Sequence, residues 1–324
     1  MVCFSPIKAY RSRRMNKDTK KFPILFSPRR DTYSDVDGLV IPCGRCPGCL
    51  MAKSFEWTVR CVCESYSYSE SYFFTFTYDK EHLPEGGTLV RAHFQSFMKR
   101  LRYYFPGYKI KVFYCGEYGE KRHRPHYHAI LFGLPLQQEK IRFFQIGSTK
   151  RGNAEYYCPL IDKIWGLGST DFGFCTPESC SYVAQYTLKK NKILSDIIKK
   201  GKDVEKPFIG SSRRNSIGFD YFMRYWRSIY NRGLFSPFPP KKGDKKPVQI
   251  RPIRYFNMLL EKHFPIQYIK YVVLPRRKAM YLERKRRVLH PDQFAEELDK
   301  KLRNRYYKER AILRRLSRDI RDIT

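Results

Sequence analysis

The sequence of 324 residues lacks several things. It has no apolar run near the ~18 residues that a membrane-spanning helix requires, so a membrane protein is not expected. Its start, MVCFSPIKAYRSRR, holds no apolar core of the kind an export signal needs. No G-x-x-x-x-G-K-[ST] loop occurs, which leaves no sequence basis for an NTPase or helicase. No internal repeat is visible. Acidic residues are scarce: 31 Asp and Glu face 64 Lys and Arg, a formal net charge of +33. Such a chain is built to meet a polyanion, most often nucleic acid.

Apolar residues make up 42%, enough to exclude a wholly disordered chain, and the length suits about two domains. Tyr (25) and Phe (24) are abundant, and flat rings among cations suit single-stranded nucleic acid, where bases stack and phosphates pair; an aromatic-rich core reads the same way from composition. The ten cysteines, without an export signal, point to reduced thiols acting as metal ligands or core residues rather than disulfides.

Residues 1–50, rich in Pro, Cys and Arg, read as irregular structure. Phe55, Val59, Val62 and Tyr66 lie at helical spacing in residues 51–68, and SYFFTFTYD (71–79) has the β-rich composition of a central strand. Phe94, Phe97 and Leu101 share a helical face in 91–104. YKIKVFYCGEYG (108–119) and HYHAILFG (126–133) flank the turn EKRHRP and predict a β-hairpin. A short helix near Ile161–Trp165 and a strand at 170–175 follow. The next helix has Thr176 as N-cap, Pro177 at its first position and Glu178 in its first turn. The order predicts an α+β fold: an antiparallel sheet with helices packed on one face. Residues 191–215 and 236–249 read as linkers, and 280–324 as charged helix broken near Pro291.

His126-Tyr127-His128 carries the first chemical signal. Side chains alternate along a strand, so both imidazoles leave one face about 7 Å apart and can grip one divalent ion. A His pair in a strand is often merely structural. Glu117, across the predicted hairpin, changes the odds, because two His and a carboxylate leave metal positions open for a substrate oxygen. Glu120 is a rival third ligand with a less defined aim, and His123 in the same turn is expected to be solvated.

TPESCSYVAQYTLKK (176–190) sets Cys180, Val183, Ala184, Thr187 and Leu188 on a packing stripe. At ~100° per residue, Tyr182, Tyr186 and Lys189 cluster within about 60° on the opposite side. Surface Tyr pairs usually do nothing. Here a phenol could attack a phosphodiester and form a phosphotyrosine, with the phenol's pKa of ~10 offset by a nearby Lys or metal ion. CGRCPGC places Cys43, Cys46 and Cys49 at C-x2-C-x2-C, a spacing that suits Zn2+; Cys3 is the first choice for the fourth ligand, with Cys61 or Cys63 next. Reduced cysteines without metal are the plain alternative. From 276 to 324 there are 17 Lys or Arg against 8 Asp or Glu, a basic tail suited to phosphate contact, and Tyr306 and Tyr307 could stack on bases or pack in a core.

FFTFTYD (73–79), GEYGEKRHRPHYHAILFG (116–133) and YVAQYTLKK (182–190) resemble, in order and rough spacing, the three successive motifs of the HUH endonucleases. More closely, residues 1–260 resemble the replication initiation proteins of microvirus (gokushovirus-type) single-stranded DNA phages. The resemblance implies an RRM/ferredoxin-like sheet with helices packed on it, extended by a Cys-rich N-terminal segment (1–50) and a basic helical C-terminal part (251–324). The endonuclease core would span 51–195, with a linker and accessory segment at 196–250. It implies Mg2+ or Mn2+ on His126 and His128, with Glu117 as third ligand. It implies that Tyr182 and Tyr186 alternate as nucleophiles in rolling-circle replication, one nicking the origin and the other cutting the regenerated origin. In related initiators each Tyr can be followed three positions later by Lys; Tyr186 has Lys189, but Tyr182 has Gln185. Expected partners are single-stranded and origin DNA, a host helicase and the replication machinery, in the cytoplasm of a bacterial host, with no membrane and no nucleotide cofactor. The alternatives are a plasmid-type initiator, relaxase or transposase of the same superfamily, or a non-catalytic zinc-containing nucleic-acid binder.

Overall fold

The computed structural model describes residues 3–19, 22–28, 32, 39–119, 122–149, 152–185, 204–240 and 246–321, the side chains of 312–321 excepted. The chain divides into two compact units, one of residues 1–53 and 280–324 and one of 54–279.

In the first unit three short strands, β1 (Ile7–Arg11), β2 (Ile24–Leu25) and β3 (Leu39–Ile41), form an antiparallel sheet in the order β2-β1-β3. The irregular segment expected at 1–50 therefore has a small sheet. Strands of two to five residues are too short to show a period of two in composition. Helix α1 (Pro47–Ser65) begins within the cysteine cluster. The tail is helical at Leu274–Leu289 and Pro291–Arg321, interrupted at His290 before Pro291. An Asp299–Arg303 pair at 2.6 Å and an Arg286–Glu297 pair line these helices.

The second unit is built on a seven-stranded sheet in which every neighbouring pair is antiparallel. Its strands are β4 (Ser71–Thr77), β5 (Lys111–Tyr118), β6 (Pro125–Phe132), β7 (Phe144–Ser148), β8 (Ala154–Tyr157), β9 (Thr170–Phe174) and β10 (Phe208–Ser211). They lie in the order β10-β5-β6-β4-β9-β8-β7, so β4 is central. Strand alternation splits β4 between two faces. Tyr72, Phe74 and Phe76 are fully buried against Phe94, Phe97, Met98 and Leu101 of α2 (Arg91–Tyr104) and Ile161 and Trp165 of α3 (Pro159–Trp165). On the other face Phe113, Ile130 and Phe132 meet Cys61 and Val62 of α1 and Cys180, Val183 and Ala184 of α4 (Pro177–Gln185). Helices thus cover both faces, not one. The sequence order of elements does not say to which side a crossover returns, and Val62 packs as helical spacing predicts but on the face opposite α2.

Residues 208–211, read as linker, form the edge strand β10, which pairs with β5 from Phe208↔Gly116 to Ser211↔Phe113. Residues 236–249, also read as linker, are spanned by a bridge in which Phe235 and Ile250 exchange backbone hydrogen bonds of 2.9 Å. Two further helices, α5 (Phe219–Asn231) and α6 (Arg254–His263), pack Phe222, Trp226 and Leu260 against Val59 and Cys63 of α1. A buried ion pair fastens the site strand: Lys111 of β5 lies 2.7 Å from Glu64 of α1 and 2.9 Å from Asp220 of α5. Gly168 is required where it stands, because its φ is +145° and a Cβ there would strike the backbone of Thr77. Among the described residues no helix is long and apolar enough to cross a membrane.

Candidate active site

The hairpin of β5 and β6 sets the first three side chains. Its register pairs Glu117 with His126 and Cys115 with His128, which puts the carboxylate and both imidazoles on the α1/α4 face. The next strand continues the row: Thr75 of β4 pairs with His128 on one side and with Asp171 of β9 on the other. One ligand atom from each of Glu117, His126 and His128 falls within 4.8 Å of the others. Nε2 of His126 lies 2.9 Å, and Nε2 of His128 3.0 Å, from the same oxygen, Oε1 of Glu117.

The electrostatics follow from that contact. Burial works against the charge on Glu117, but the hydrogen bonds from His126 and His128 outweigh it and hold the carboxyl down at about 2. Burial likewise opposes a charged His126, yet the Glu117 contact wins and raises its pKa above 6.5. His126 also donates from Nδ1 to the Arg124 carbonyl at 3.2 Å. That anchor leaves Nε2 as the ligand atom once the ring is neutral, the arrangement in which an outer hydrogen bond fixes the tautomer of a metal-binding His. Two imidazole nitrogens and one carboxylate oxygen on one side of a point, buried yet flanked by a cavity, fit a divalent ion with open positions.

Tyr182 reaches this centre from α4. Thr176 caps the helix, its Oγ1 accepting from the Ser179 N–H at 3.2 Å while Ser179 Oγ accepts from the Thr176 N–H at 2.8 Å. Cys180, Val183 and Ala184 are buried, as the stripe predicts, and anchor the helix to the sheet. Tyr182 is 41% exposed, and its ring stands edge-on to His128 (centroids 5.3 Å apart, planes at 80°) and to Phe73 (5.8 Å, 85°). Phe73 and His128 are themselves stacked at 5.6 Å. The phenol thus leaves the border of the packed stripe rather than its far side, which is how it reaches the imidazoles. Tyr186 and Lys189 lie outside the described residues, as does Glu120. His123 is half-buried in the turn, with a left-handed backbone (φ +52°), and does not join the three-ligand group.

Two features escaped the sequence reading. Asp171 is buried on the same face, and its burial raises the carboxyl to about 6 despite a hydrogen bond from Thr75. A cavity of about 760 Å³ opens beside His128 and Tyr182, walled by Phe73, Phe174, Asn153 and Asp171. The alternation in TDFGF could have placed Asp171 on one face of a strand, but only the β4–β9 pairing shows that the face is the one bearing His128.

The second cluster lies in the other unit. Cys3, Cys43, Cys46 and Cys49 bring their sulfurs within 4.8 Å of one another. Backbone N–H groups point at the sulfurs, from Phe4 to Cys46, from Cys43 to Cys3 and from Cys46 to Cys43, each at 3.3 Å. Burial pushes the Cys46 thiol up, but the N–H groups of Phe4 and Cys49 outweigh it and lower it to about 6; Cys49, buried beside its neighbours, is pushed up to about 12. A cluster whose members resist joint ionisation calls for a cation, and four thiolates with N–H donors around them match structural zinc. Cys61 and Cys63, the alternative fourth ligands, are buried in apolar surroundings instead.

The comparisons with known proteins bear on the whole chain. The family model described as replication-associated protein ORF2 matches residues 71–191, which include β4, the β5–β6 hairpin and α4. The chain is 32% identical over 253 residues to replication-associated protein ORF2 of Spiroplasma virus 4, covering 74% of this chain and 73% of that one. It is 27% identical over 290 residues to replication-associated protein VP4 of Bdellovibrio phage phiMH2K, with 84% and 81% covered. It is 32% identical over 228 residues to replication-associated protein ORF4 of Chlamydia phage 1, covering 67% of this chain but only 55% of that protein's length. No solved structure matches. With the family match centred on the strands and helix that bear Glu117, His126, His128 and Tyr182, and the likeness to the Spiroplasma virus protein running along most of both chains, the chain belongs to the ORF2 family of replication-associated proteins.

Proposed function

We propose that this protein initiates phage genome replication as an HUH-type enzyme that nicks and rejoins single-stranded DNA through a phosphotyrosine. The observation that carries the reading is the Tyr182 ring against His128, 5.3 Å between centroids, with Glu117 and His126 completing the donor set beside it. The relatives are named replication-associated proteins of phages, which agrees with it.

In this reading the phenolic oxygen of Tyr182 attacks the phosphorus of the scissile phosphodiester. A Tyr–O–P bond forms as the bond to the 3′ oxygen breaks. The departing oxygen takes up a proton, the phenolic proton is lost to solvent, and the strand ends in a free 3′-hydroxyl. Mg2+ or Mn2+ bound by the imidazoles and Glu117 would polarise that phosphate and hold it in line. One phosphoester bond replaces another, so resealing needs no nucleotide. Tyr186 serves as the second nucleophile that resolves the first linkage, with Lys189 lowering the cost of its phenolate. His126, fixed through Nδ1 to Arg124, orients the donor set. The cavity beside Tyr182 holds the strand next to the cleaved bond. The four-cysteine cluster binds one Zn2+ that pins the N-terminal segment. The host helicase and replication machinery supply unwinding and synthesis, in the bacterial cytoplasm.

The test uses the purified chain, Mn2+ and single-stranded oligonucleotides tiling the phage genome, resolved on a denaturing gel. The expected result is a slow protein–DNA band from one tile. Tyr182→Phe with Tyr186→Phe removes the band and leaves DNA binding intact. A band persisting in that double variant overturns the assignment.

A further inference from the structure

On the sheet face turned away from the candidate active site, a second cavity of about 880 Å³ runs between α2 and the β5–β10 edge. Val112 and Tyr114, which line it, alternate along β5 with Cys115 and Glu117, so the two cavities lie on opposite sides of the same strands. Their chemistry is opposed as well. The cavity beside Tyr182 is walled by carboxylates and rings. This one is lined by Arg91, Lys99, Arg102, Arg213 and Arg214, with no Asp or Glu among its lining residues.

These cations are not equally committed. Arg91 is paired with Glu205 at 3.2 Å and lies over the Phe208 ring. Arg102 donates to the Ile110 carbonyl. Lys99, Arg213 and Arg214 are exposed, and among the described residues no carboxylate stands within ion-pair distance of them. Arg213 and Arg214 sit in the turn Ser211-Ser212-Arg213-Arg214-Asn215 that leaves the edge strand, where Asn215 takes a left-handed backbone (φ +43°). The rings nearby are already used: Phe94 is fully buried and stacks on Tyr114 at 4.2 Å. A groove with spare cations and hydroxyls but no spare ring grips phosphates, not bases.

We propose that this groove is a second DNA-binding site, which holds the phosphodiester backbone of paired DNA without reading its sequence, on the face opposite the nicking centre. The geometry stands whether or not Tyr182 is a nucleophile.

The test compares Arg213→Glu/Arg214→Glu with a control double, Lys163→Glu/Lys262→Glu, that changes net charge equally on exposed positions elsewhere. The probe is a duplex of arbitrary sequence, about 20 base pairs long, titrated at several salt concentrations; loss of two phosphate contacts should reduce the slope of log K against log[salt] by about 1.8. The groove variant is expected to lose at least tenfold in duplex affinity at low salt, with the shallower slope, while the control keeps its slope. Lys99→Glu alone, on the solvent side of α2, should lose about half as much of the slope, so the outcome does not depend on one loop. An unchanged slope in both groove variants, or an equal fall in the control, overturns the proposal. A loss seen with single-stranded oligonucleotides but not with duplex also overturns it. Covalent-adduct formation on a short single strand is scored in parallel. If wild type forms no adduct, the nicking reading fails while the groove result stands; if the groove variant loses adduct in step with duplex affinity, the groove is not a separate site.

Discussion

The two ligand clusters of this protein are built from different donors and in different ways. Around Glu117, His126 and His128 the donors are nitrogen and a carboxylate oxygen, carried on paired strands of a large sheet, and one side faces a cavity. Around Cys3, Cys43, Cys46 and Cys49 the donors are sulfur, carried on short irregular segments, and backbone N–H groups surround them. Hard and borderline donors with a vacant side suit an ion that works on a substrate, whereas four soft donors close the shell and suit an ion that only holds a fold. The difference teaches where rigidity comes from. The sheet holds the His–Glu set in register without metal, through hydrogen bonds to a shared oxygen. The cysteine set gathers like charges that only a cation reconciles.

The largest effect should come from breaking the open cluster. His126→Ala removes one nitrogen donor and leaves Glu117 with a single imidazole contact. Adduct formation with Mn2+ should drop by at least about 10²-fold, as when a positioned group that stabilises transition-state charge is removed. Circular dichroism should be unchanged, because β6 keeps its pairing on both sides. Wild-type rates in His126→Ala with EDTA present would erase the distinction between working and structural ion.

Breaking the closed cluster should do something else. Cys46→Ser removes a thiolate that accepts from Phe4 and lies 3.8 Å from Cys3. Bound zinc, measured by mass spectrometry of the native protein, should fall from one equivalent to none. Limited proteolysis should then cut first within residues 1–53, since metal binding of about 10–16 kcal/mol underwrites the folding of such sites. Mn2+ binding at the His–Glu set should persist. Full zinc retention in Cys46→Ser would mean that the sulfurs are gathered for another reason.

How far this contrast was legible in the sequence depends on range. Glu117, His126 and His128 sit within one hairpin, and a turn between two β-rich runs fixes which residues oppose each other. The strand at 71–77, the helix at 91–104 and the cap at Thr176 were legible because each is signalled within a few residues. Cys3 joining a cluster forty residues away followed from chemistry alone, since three thiols at that spacing demand a fourth. What was not legible is long-range pairing: β10 joining β5 across ninety residues, helices on both faces of the sheet, and Asp171 brought beside the histidines by the β4–β9 register. The small sheet of the first unit hides for the opposite reason, its strands being too short to carry a pattern.

A smaller effect concerns pH. In metal-free protein the Glu117 contribution to stability is present above pH 4.5 and is lost as pH falls toward about 2. The His126 contribution is present below 6.5 and is lost as pH rises through its raised pKa. Binding at Nε2 must displace that proton, so the gain in Tm on adding Mn2+ should grow as pH rises above 6.5. A gain that stays flat across this range, measured by calorimetry with and without Mn2+, would show that His126 is not a ligand. The cysteine set offers a control, because Mn2+ has little preference for thiolates and should leave it unmoved.

The smallest expected effect probes how open the open cluster is. Asp171 lies on the same face and helps to raise the pKa of His126, yet it is not among the donor atoms gathered within 4.8 Å. Its burial favours the neutral carboxyl up to about pH 6. Asp171→Asn keeps the shape and removes the charge. Near neutral pH the two consequences oppose each other: His126 gives up its proton more readily, which favours metal, while the site loses a negative charge that attracts it. Mn2+ affinity at pH 7.5 should therefore shift by less than about tenfold, equivalent to 1.4 kcal/mol, and adduct formation should shift with it. If Asp171→Asn instead removes Mn2+ binding altogether, Asp171 moves in to become a fourth ligand when the ion is present. The set would then be two imidazoles and two carboxylates, one fewer position would remain for the phosphate oxygen, and the contrast with the cysteine cluster would rest on donor hardness rather than on an open side.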